Sequence, residues 1–499
     1  MKNVKNAIKI SKQTRNLLAY VIGTIIVILG TILLVALATG WQYDFSTGEL
    51  RDTGLLIMDS EPTNATISIN GTPLKQRTPY RYTNVLPGEY DVSFTLTGYR
   101  PWVRRTLIEA ERVAFDDYAW LLPDTVPARP RFANHPITQA IQSVDRRREV
   151  FVEQPVSSPG SPKPAPKLTV TTDWAKEPAT LYAPTVTPLN PTTPAPTQVV
   201  SIDNLQLSPD GNNLLVRETL ANGTVQYIIL PTTPSDSLKV TNLTTEFSKP
   251  IEWLEWGPNG NNELWLKSQG NLIRWLVNEH RPEDSGLSDV TYADWSFEKL
   301  VTISLSSDQT LQLQVRDKDA LSAPVNLGVV GASPVYQTVY FRGIDHDYLA
   351  VLPSASSQLS LSRDIFTNRT SLVTSIIGKN ISRFTVNRSG RHLVMDESDR
   401  MVSIDLENYQ RSRWQASLAD LHKWEWMNDQ HLVFEAGSQL RIIDFDGQNN
   451  QLIADKLLPG TPLVFGDNKS LLGISQTAGE ETNSQPLTHF FLNPEKILE

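Results

Sequence analysis

No cysteine occurs among the 499 residues. That excludes disulfides, thiolate metal sites and cysteine nucleophiles together, so any part outside the cytoplasm has to be held by packing alone. Histidine is scarce too, at seven: His135, His280, His346, His392, His422, His431 and His489. No two stand at the H-x-x-x-H spacing of a helical zinc site. Positive charge is outweighed, with 45 Lys and Arg against 54 Asp and Glu for a net of −9. Such a balance argues against a nucleic-acid binder, which needs clustered cations facing phosphates. The sialidase Asp-box is missing, and no G-x-S-x-G elbow follows a strand. No catalytic residue, cofactor or metal is therefore expected. The length and an apolar content of 40% leave room for two to four domains with cores.

What is present begins with Leu17–Ala38, 22 residues without a charge. At 1.5 Å per residue such a helix reaches about 33 Å, enough for a hydrocarbon core of roughly 30 Å. Lys2, Lys5, Lys9, Lys12 and Arg15 precede it with no acidic residue, and the positive-inside rule leaves the N-terminus in the cytoplasm and the bulk of the chain outside. Trp41, Tyr43 and Phe45 follow at the far end, where amphipathic rings suit the headgroup zone. The rival is a cleaved signal peptide, since Ala36-Leu37-Ala38 has the small-x-small form of a cleavage site; the run is longer than the usual h-region of roughly 7–15 residues, which favours a retained anchor. The expected organisation is a basic tail over 1–16, a membrane helix contacting lipid over 17–40, a juxtamembrane segment over 41–53, a β-sandwich over 54–123, a linker over 124–136 and a repeat domain over 137–499.

The sandwich is expected from period-2 alternation in Ala65, Ile67, Ile69 and in Tyr90, Val92, Phe94, Leu96. Asn70-Gly71 is a hairpin turn signal and Pro87-Gly88 another. The series Ser60-Glu61-Pro62, Ala65–Gly71, Thr78-Pro79-Tyr80, Leu86–Tyr90 and Gly98-Tyr99 resembles the PEGA domain, an extracytoplasmic β-sandwich of bacterial and archaeal surface proteins. Asn64 stands where that family usually has glycine, and Asn also tolerates a left-handed backbone. The resemblance implies a structural or binding module near the envelope and no chemistry.

Farther on, an apolar strand, a polar turn and a second strand recur. The turns begin at Leu207, Trp256, Trp295, Phe341, Val386, Trp426 and Phe465, with spacings of 39 to 49 residues and a mean of 43. About four short strands per such period is the arithmetic of a β-propeller blade. Gln142–Arg146 followed by Glu149–Pro155 offers an eighth copy, so both seven and eight blades stand. Residues 155–198, with 11 prolines, read either as an insertion in that copy or as a stiff linker before the propeller. The turns resemble the S-P-D-G junctions of WD-type and related bacterial propeller repeats, without the His and Trp-Asp signature in register. The expected fold class is all-β with one N-terminal transmembrane helix, a small PEGA-type sandwich and a 7- or 8-bladed β-propeller.

Candidate residues for a binding rim are the turn carboxylates Asp210, Asp345, Asp429 and Asp467 with Trp256 and Trp295. Carboxylates on turns serve as acids, bases or ligand contacts, but Asx residues also belong in turns for their own backbone bonds. Tryptophans stack on sugars or partners, or fill the wedge between sheets. His392 and His431 hold equivalent places in the repeat, which argues for a structural role. Asp444–Gly447 reads as a hairpin turn, and Arg146–Arg148 as a solvated turn. The expected function is that of a single-pass, membrane-anchored, non-enzymatic surface protein whose propeller binds a protein or cell-envelope polymer. The alternatives are a glycan hydrolase or lyase at the central channel and a structural scaffold of an envelope complex.

Overall fold

The computed structural model describes residues 12–38, 41–44, 49–131, 137–154, 164–172, 176–184, 198–260, 262–366, 373–398, 400–414, 421–455, 464–465, 470–474 and 487–492. Two compact units divide between Asp124 and Thr125. Almost all regular structure is β.

The first unit opens with one helix, Lys12–Ala38. Its described apolar side chains, among them Leu17, Ile26, Val27 and Leu34, are exposed. Among the described residues no helix is long and apolar enough to cross a membrane; part of the expected run, Ala36–Ala38 included, lies outside the described side chains. Trp41–Asp44 pairs antiparallel with Glu49–Asp52. Seven strands then form two sheets. In one, Gly54–Glu61 lies between Tyr80–Val85, antiparallel, and Val113–Trp120, parallel. The other runs Thr72–Arg77, Thr66–Ile69, Gly88–Thr95, Trp102–Ile108.

Alternation dictates which residues meet. Leu56 and Met58 from one sheet and Ile67, Val92, Phe94, Trp102 and Ile108 from the other are all essentially buried and form one core. The Asn70-Gly71 turn has the expected positive φ at both positions, 50° and 76°, and joins Ile69 to its partner Thr72. Asn64 is left-handed at φ 69°, a conformation asparagine tolerates better than most residues.

In the second unit the described strands make eight four-stranded antiparallel sheets. Sheet I comprises Ile137–Gln142, Glu149–Glu153, Lys167–Thr171 and Ala179–Tyr182. Sheets II to VII span 199–242, 253–287, 290–329, 336–379, 381–414 and 421–454, each pairing its four strands in chain order. The Pro-rich segment thus supplies the last two strands of sheet I and is no mere linker. Sheet VIII is built differently. Val464–Phe465, Ser470–Ile474 and Leu487–Phe491 are its first three strands, and the fourth is Ala128–Arg131 from the other end of the unit. The expected linker over 124–136 therefore contains a sheet strand. It escaped sequence reading because Ala-Arg-Pro-Arg has no alternation, and a proline is tolerated there because the strand is at a sheet edge.

Sheets II, III and V are covered on both faces. In sheet II, Leu214 and Val216 pack with Val150 and Val152 of sheet I, while the intervening Leu215 packs with Leu264 of sheet III. Leu264 and Leu266 face sheet II and Trp265 faces Val290 and Leu300 of sheet IV. The same division recurs in sheet V, where Leu349 and Val351 face sheet IV and Ala350 and Leu352 face sheet VI. A strand buried on both sides must be apolar at consecutive positions, which is why these second strands read as unbroken apolar runs. First strands lie side by side from sheet I through sheet VI, and that of sheet I also lies beside Val464–Phe465 of sheet VIII.

Candidate functional site

The repeated turns are tied internally and then to one another. Ser208 Oγ donates to Asp210 Oδ1 at 2.6 Å and accepts the Asn213 N–H at 2.9 Å. Ser143 repeats the arrangement with Asp145 at 2.6 Å and the Arg148 N–H at 3.0 Å. Asp210 also accepts the Asn212 N–H at 3.1 Å; despite some burial, these donors hold its carboxyl below the usual range. Asp429 Oδ1 accepts the Ser389 N–H of the neighbouring turn at 3.0 Å, and its carbonyl accepts Asn387 Nδ2 at 2.9 Å. Asp345 is exposed in a shallow cleft with His346, Tyr348 and Arg391. Asp467 lies outside the described residues.

Contacts between turns link sheets I to II, V to VI, VI to VII, and VII to I. Arg148 Nη1 donates to Thr232 Oγ1 at 2.6 Å and to the Gly211 carbonyl. Arg146 Nη2 donates to the Met427 carbonyl in the sheet VII turn at 3.0 Å. These two arginines are therefore staples, and only Arg147 fits the expected solvated turn, its side chain being 87% exposed. Gly390 sits at φ 72°, and a Cβ there would lie 2.2 Å from the Arg342 carbonyl oxygen of the preceding turn; the close approach admits only glycine. Two of the proposed rim carboxylates, Asp210 and Asp429, thus carry turn geometry.

The tryptophans need a correction. Trp256 is 5% exposed and donates from Nε1 to the Gln206 carbonyl at 3.1 Å, so it is a wedge between sheets II and III and no rim contact. Trp295 is half-buried against Trp265, with ring centroids 5.4 Å apart. An aromatic next to a turn reads alike in sequence whether it points outward or into the next sheet.

His392 and His431 each open the second strand of their sheet, and their cross-strand partners are Asp405 and Asp444. Nε2 of His431 lies 3.3 Å from Asp444, and that of His392 3.8 Å from Asp405. Lys299 faces Asp317 at the same register position in sheet IV. Burial pushes His392 down to about 4. The pairs are a repeated framework contact. Asp444–Gly447 forms the turn into Gln451–Ala454, with the Gly447 N–H donated to the Asp444 carbonyl at 2.9 Å. Among the described residues no group of three or more His, Cys, Asp or Glu could hold a metal.

The most unusual polar group lies on the first strands. Glu255 of sheet III accepts the Trp295 N–H of sheet IV at 3.0 Å. Asp294 of sheet IV accepts the Thr338 hydroxyl of sheet V at 2.5 Å, and Thr338 and Tyr292 share a hydrogen bond of 3.1 Å. Burial, then the charge of Asp294, pushes Glu255 up to about 8; burial raises Asp294 as well. Burial and the charge of Asp294 together favour the protonated form of Glu255. Sequence reading passed over both residues, yet a signal exists: Glu255, Asp294 and Glu425 each stand directly before a tryptophan at the same point of the repeat.

This pair gives a pH prediction. Glu255 has a higher pKa folded than unfolded, so the native state binds more protons between about pH 4.5 and 8. Its contribution is full below pH 4.5 and is lost as pH rises through 8, on the order of 2–3 kcal/mol after allowing for residual contact with water. Glu255→Gln should flatten that decline, as measured by thermal unfolding across pH 5–9. An unchanged slope in the variant would show that Glu255 is ordinary.

A family model, the PEGA domain, matches residues 53–116. No curated protein matches the chain. Among solved structures, Hsv2p of Kluyveromyces lactis is similar at 10% identity and a TM-score of 0.35, covering 58% of this chain and 97% of that one. A structure described as the eukaryotic initiation factor gives 10% and 0.40, covering 67% and 94%. Dipeptidyl peptidase 4 of Porphyromonas gingivalis gives 10% and 0.40, covering 70% and 57%.

Proposed function

We propose that the second unit is an eight-bladed β-propeller, carried with its PEGA domain on a membrane-spanning helix and used as a non-enzymatic binding platform outside the cell membrane. The observation that carries this reading is the pairing of Ala128–Arg131 with Leu487–Phe491. It gives the last sheet the same four strands as the other seven and draws the two ends of the unit together, as a sealed ring requires. The first strand of sheet I lying beside Val464–Phe465 of sheet VIII supports the same closure. The anchor is supported by the 22 uncharged residues from Leu17, their basic N-terminal flank and the exposure of the helix's apolar side chains. A PEGA module between anchor and propeller suits a spacer.

Two measurements test the proposal. The absence of native cysteine makes single substitutions such as Lys5→Cys and Arg147→Cys clean topology probes. A membrane-impermeant maleimide should label the second and not the first in intact cells; labelling of neither or of the first alone overturns the anchor. The full chain in nanodiscs should then retain an envelope polymer or a secreted protein saturably, and no retention of either overturns the platform. A second reading, a hydrolase or lyase acting on a glycan, has one observation in its favour, the two carboxyls Glu255 and Asp294 on adjoining first strands. Release of reducing ends or unsaturated products by the full chain, abolished in Glu255→Gln, would establish it.

A further inference from the structure

Arg316 is a guanidinium buried in a sheet interface with no carboxylate to meet it. It is 7% exposed. Nη1 donates to Thr302 Oγ1 at 2.5 Å and Nη2 to Gln314 Oε1 at 2.6 Å, both neutral acceptors, while Nε has no partner. Among the described residues it forms no ion pair. Two of its five donors are used, and Arg316 is one of the residues lining a cleft between sheets III and IV, with Gly286, Leu287, Ser288, Ser304 and Gln314 among the others. No acidic residue lines that cleft. The nearest along the chain are Asp289, which accepts the Ser288 hydroxyl at 3.2 Å, and Asp317, which is paired with Lys299.

The position follows from the sheet. Leu300, Thr302 and Ser304 share one face of Lys299–Leu305, and Gln314 and Arg316 share the matching face of the next strand, with Leu300 and Thr302 paired to Arg316 and Gln314. Leu300 fills the apolar contact with Trp265 and Leu272 of sheet III. Beside it the same face turns polar, and sheet III does not close over it: its outer strand turns at Gly286, φ 71°, with open space around that residue. Isolating a cation from water without a counter-charge costs several kcal/mol. Neutral acceptors recover only part of that, and a guanidinium matches an oxyanion in geometry and charge.

We propose that this cleft is an anion-binding site, taking a carboxylate or a small tetrahedral oxyanion on Arg316, with the hydroxyl of Ser304 at its mouth. The site is separate from the first-strand carboxylates and does not depend on the platform reading. Isothermal titration of the full chain in non-ionic detergent, at constant ionic strength, with sodium acetate, glucuronate and phosphate tests it. Acetate and glucuronate report a carboxylate ligand, phosphate a tetrahedral one. Saturable binding of at least one, weakened tenfold or more in Arg316→Gln, is the expected result. Ser304→Asp supplies an internal counter-charge and should abolish binding while raising the melting temperature, so the test holds even if Arg316→Gln fails to fold. No saturable binding of any of the three, or equal affinity in both variants, overturns the proposal.

Discussion

Replacing Thr488 by proline is expected to lower the melting temperature of the whole second unit, by at least about 5 °C, rather than to loosen its last sheet alone. Thr488 is 5% exposed and sits in a strand paired on both sides, opposite Pro130 of Ala128–Arg131 and Gly473 of Ser470–Ile474. Proline removes a ladder donor and forces its ring against a neighbouring strand, a cost of roughly 3 kcal/mol or more, and about 1 kcal/mol moves the transition of a large domain by roughly 2–4 °C. If the sheets form a ring, each covering the next, opening one joint leaves sheets I and VII with an uncovered face, and the unit melts as one at lower temperature. Calorimetry distinguishes the outcomes. A small early transition with the main peak unmoved would mean that the sheets stand independently, and Thr488→Ala should do little in either case.

The second large effect belongs to the first unit. Trp102 is fully buried, stacked on Phe94 with centroids 5.0 Å apart and edge-on to Tyr118 at 5.9 Å. It bridges the two sheets of the PEGA sandwich, whose core is a single cluster. Trp102→Ala removes the largest side chain there and leaves a cavity, at a cost of about 3–5 kcal/mol, a large part of the stability of so small a module. The transition of the sandwich should vanish or fall below ambient temperature while that of the second unit persists. Val103, next along the strand and 52% exposed, is the control: Val103→Ala should shift nothing measurable. Equal effects at the two positions would mean that the sandwich face is misassigned.

What could be read beforehand, and what could not, follows from the range of the interactions. Asn70-Gly71 announces its hairpin because the φ requirement is local. The kinship of Ser143–Arg148 with Ser208–Asn213 is likewise visible in the chain, since both turns use a serine and an aspartate two residues on for the same backbone bonds. Glu149–Glu153 and its look-alikes stand out as apolar runs because they are covered from both sides. Ala128–Arg131 carries no such mark, as its partner lies at the opposite end of the unit and only three-dimensional closure makes it a strand. Glu255, Asp294 and Arg316 were hidden for a related reason. A charged residue in a strand looks solvated until the neighbouring sheet is known, and each of these is enclosed by a segment that does not adjoin it in the chain. Asp210 and Trp256 erred in the other direction, since local turn chemistry made candidates of residues that long-range packing has already spent.

The joint in sheet VIII also constrains how the molecule can be made. Its first-synthesised strand, Ala128–Arg131, must wait for Leu487–Phe491, which is made after every other described strand of the unit. Until then the nascent chain carries open sheet edges and uncovered apolar faces, the features that favour aggregation. A truncation just before Leu487 should therefore be about as damaging as one placed far earlier in the unit.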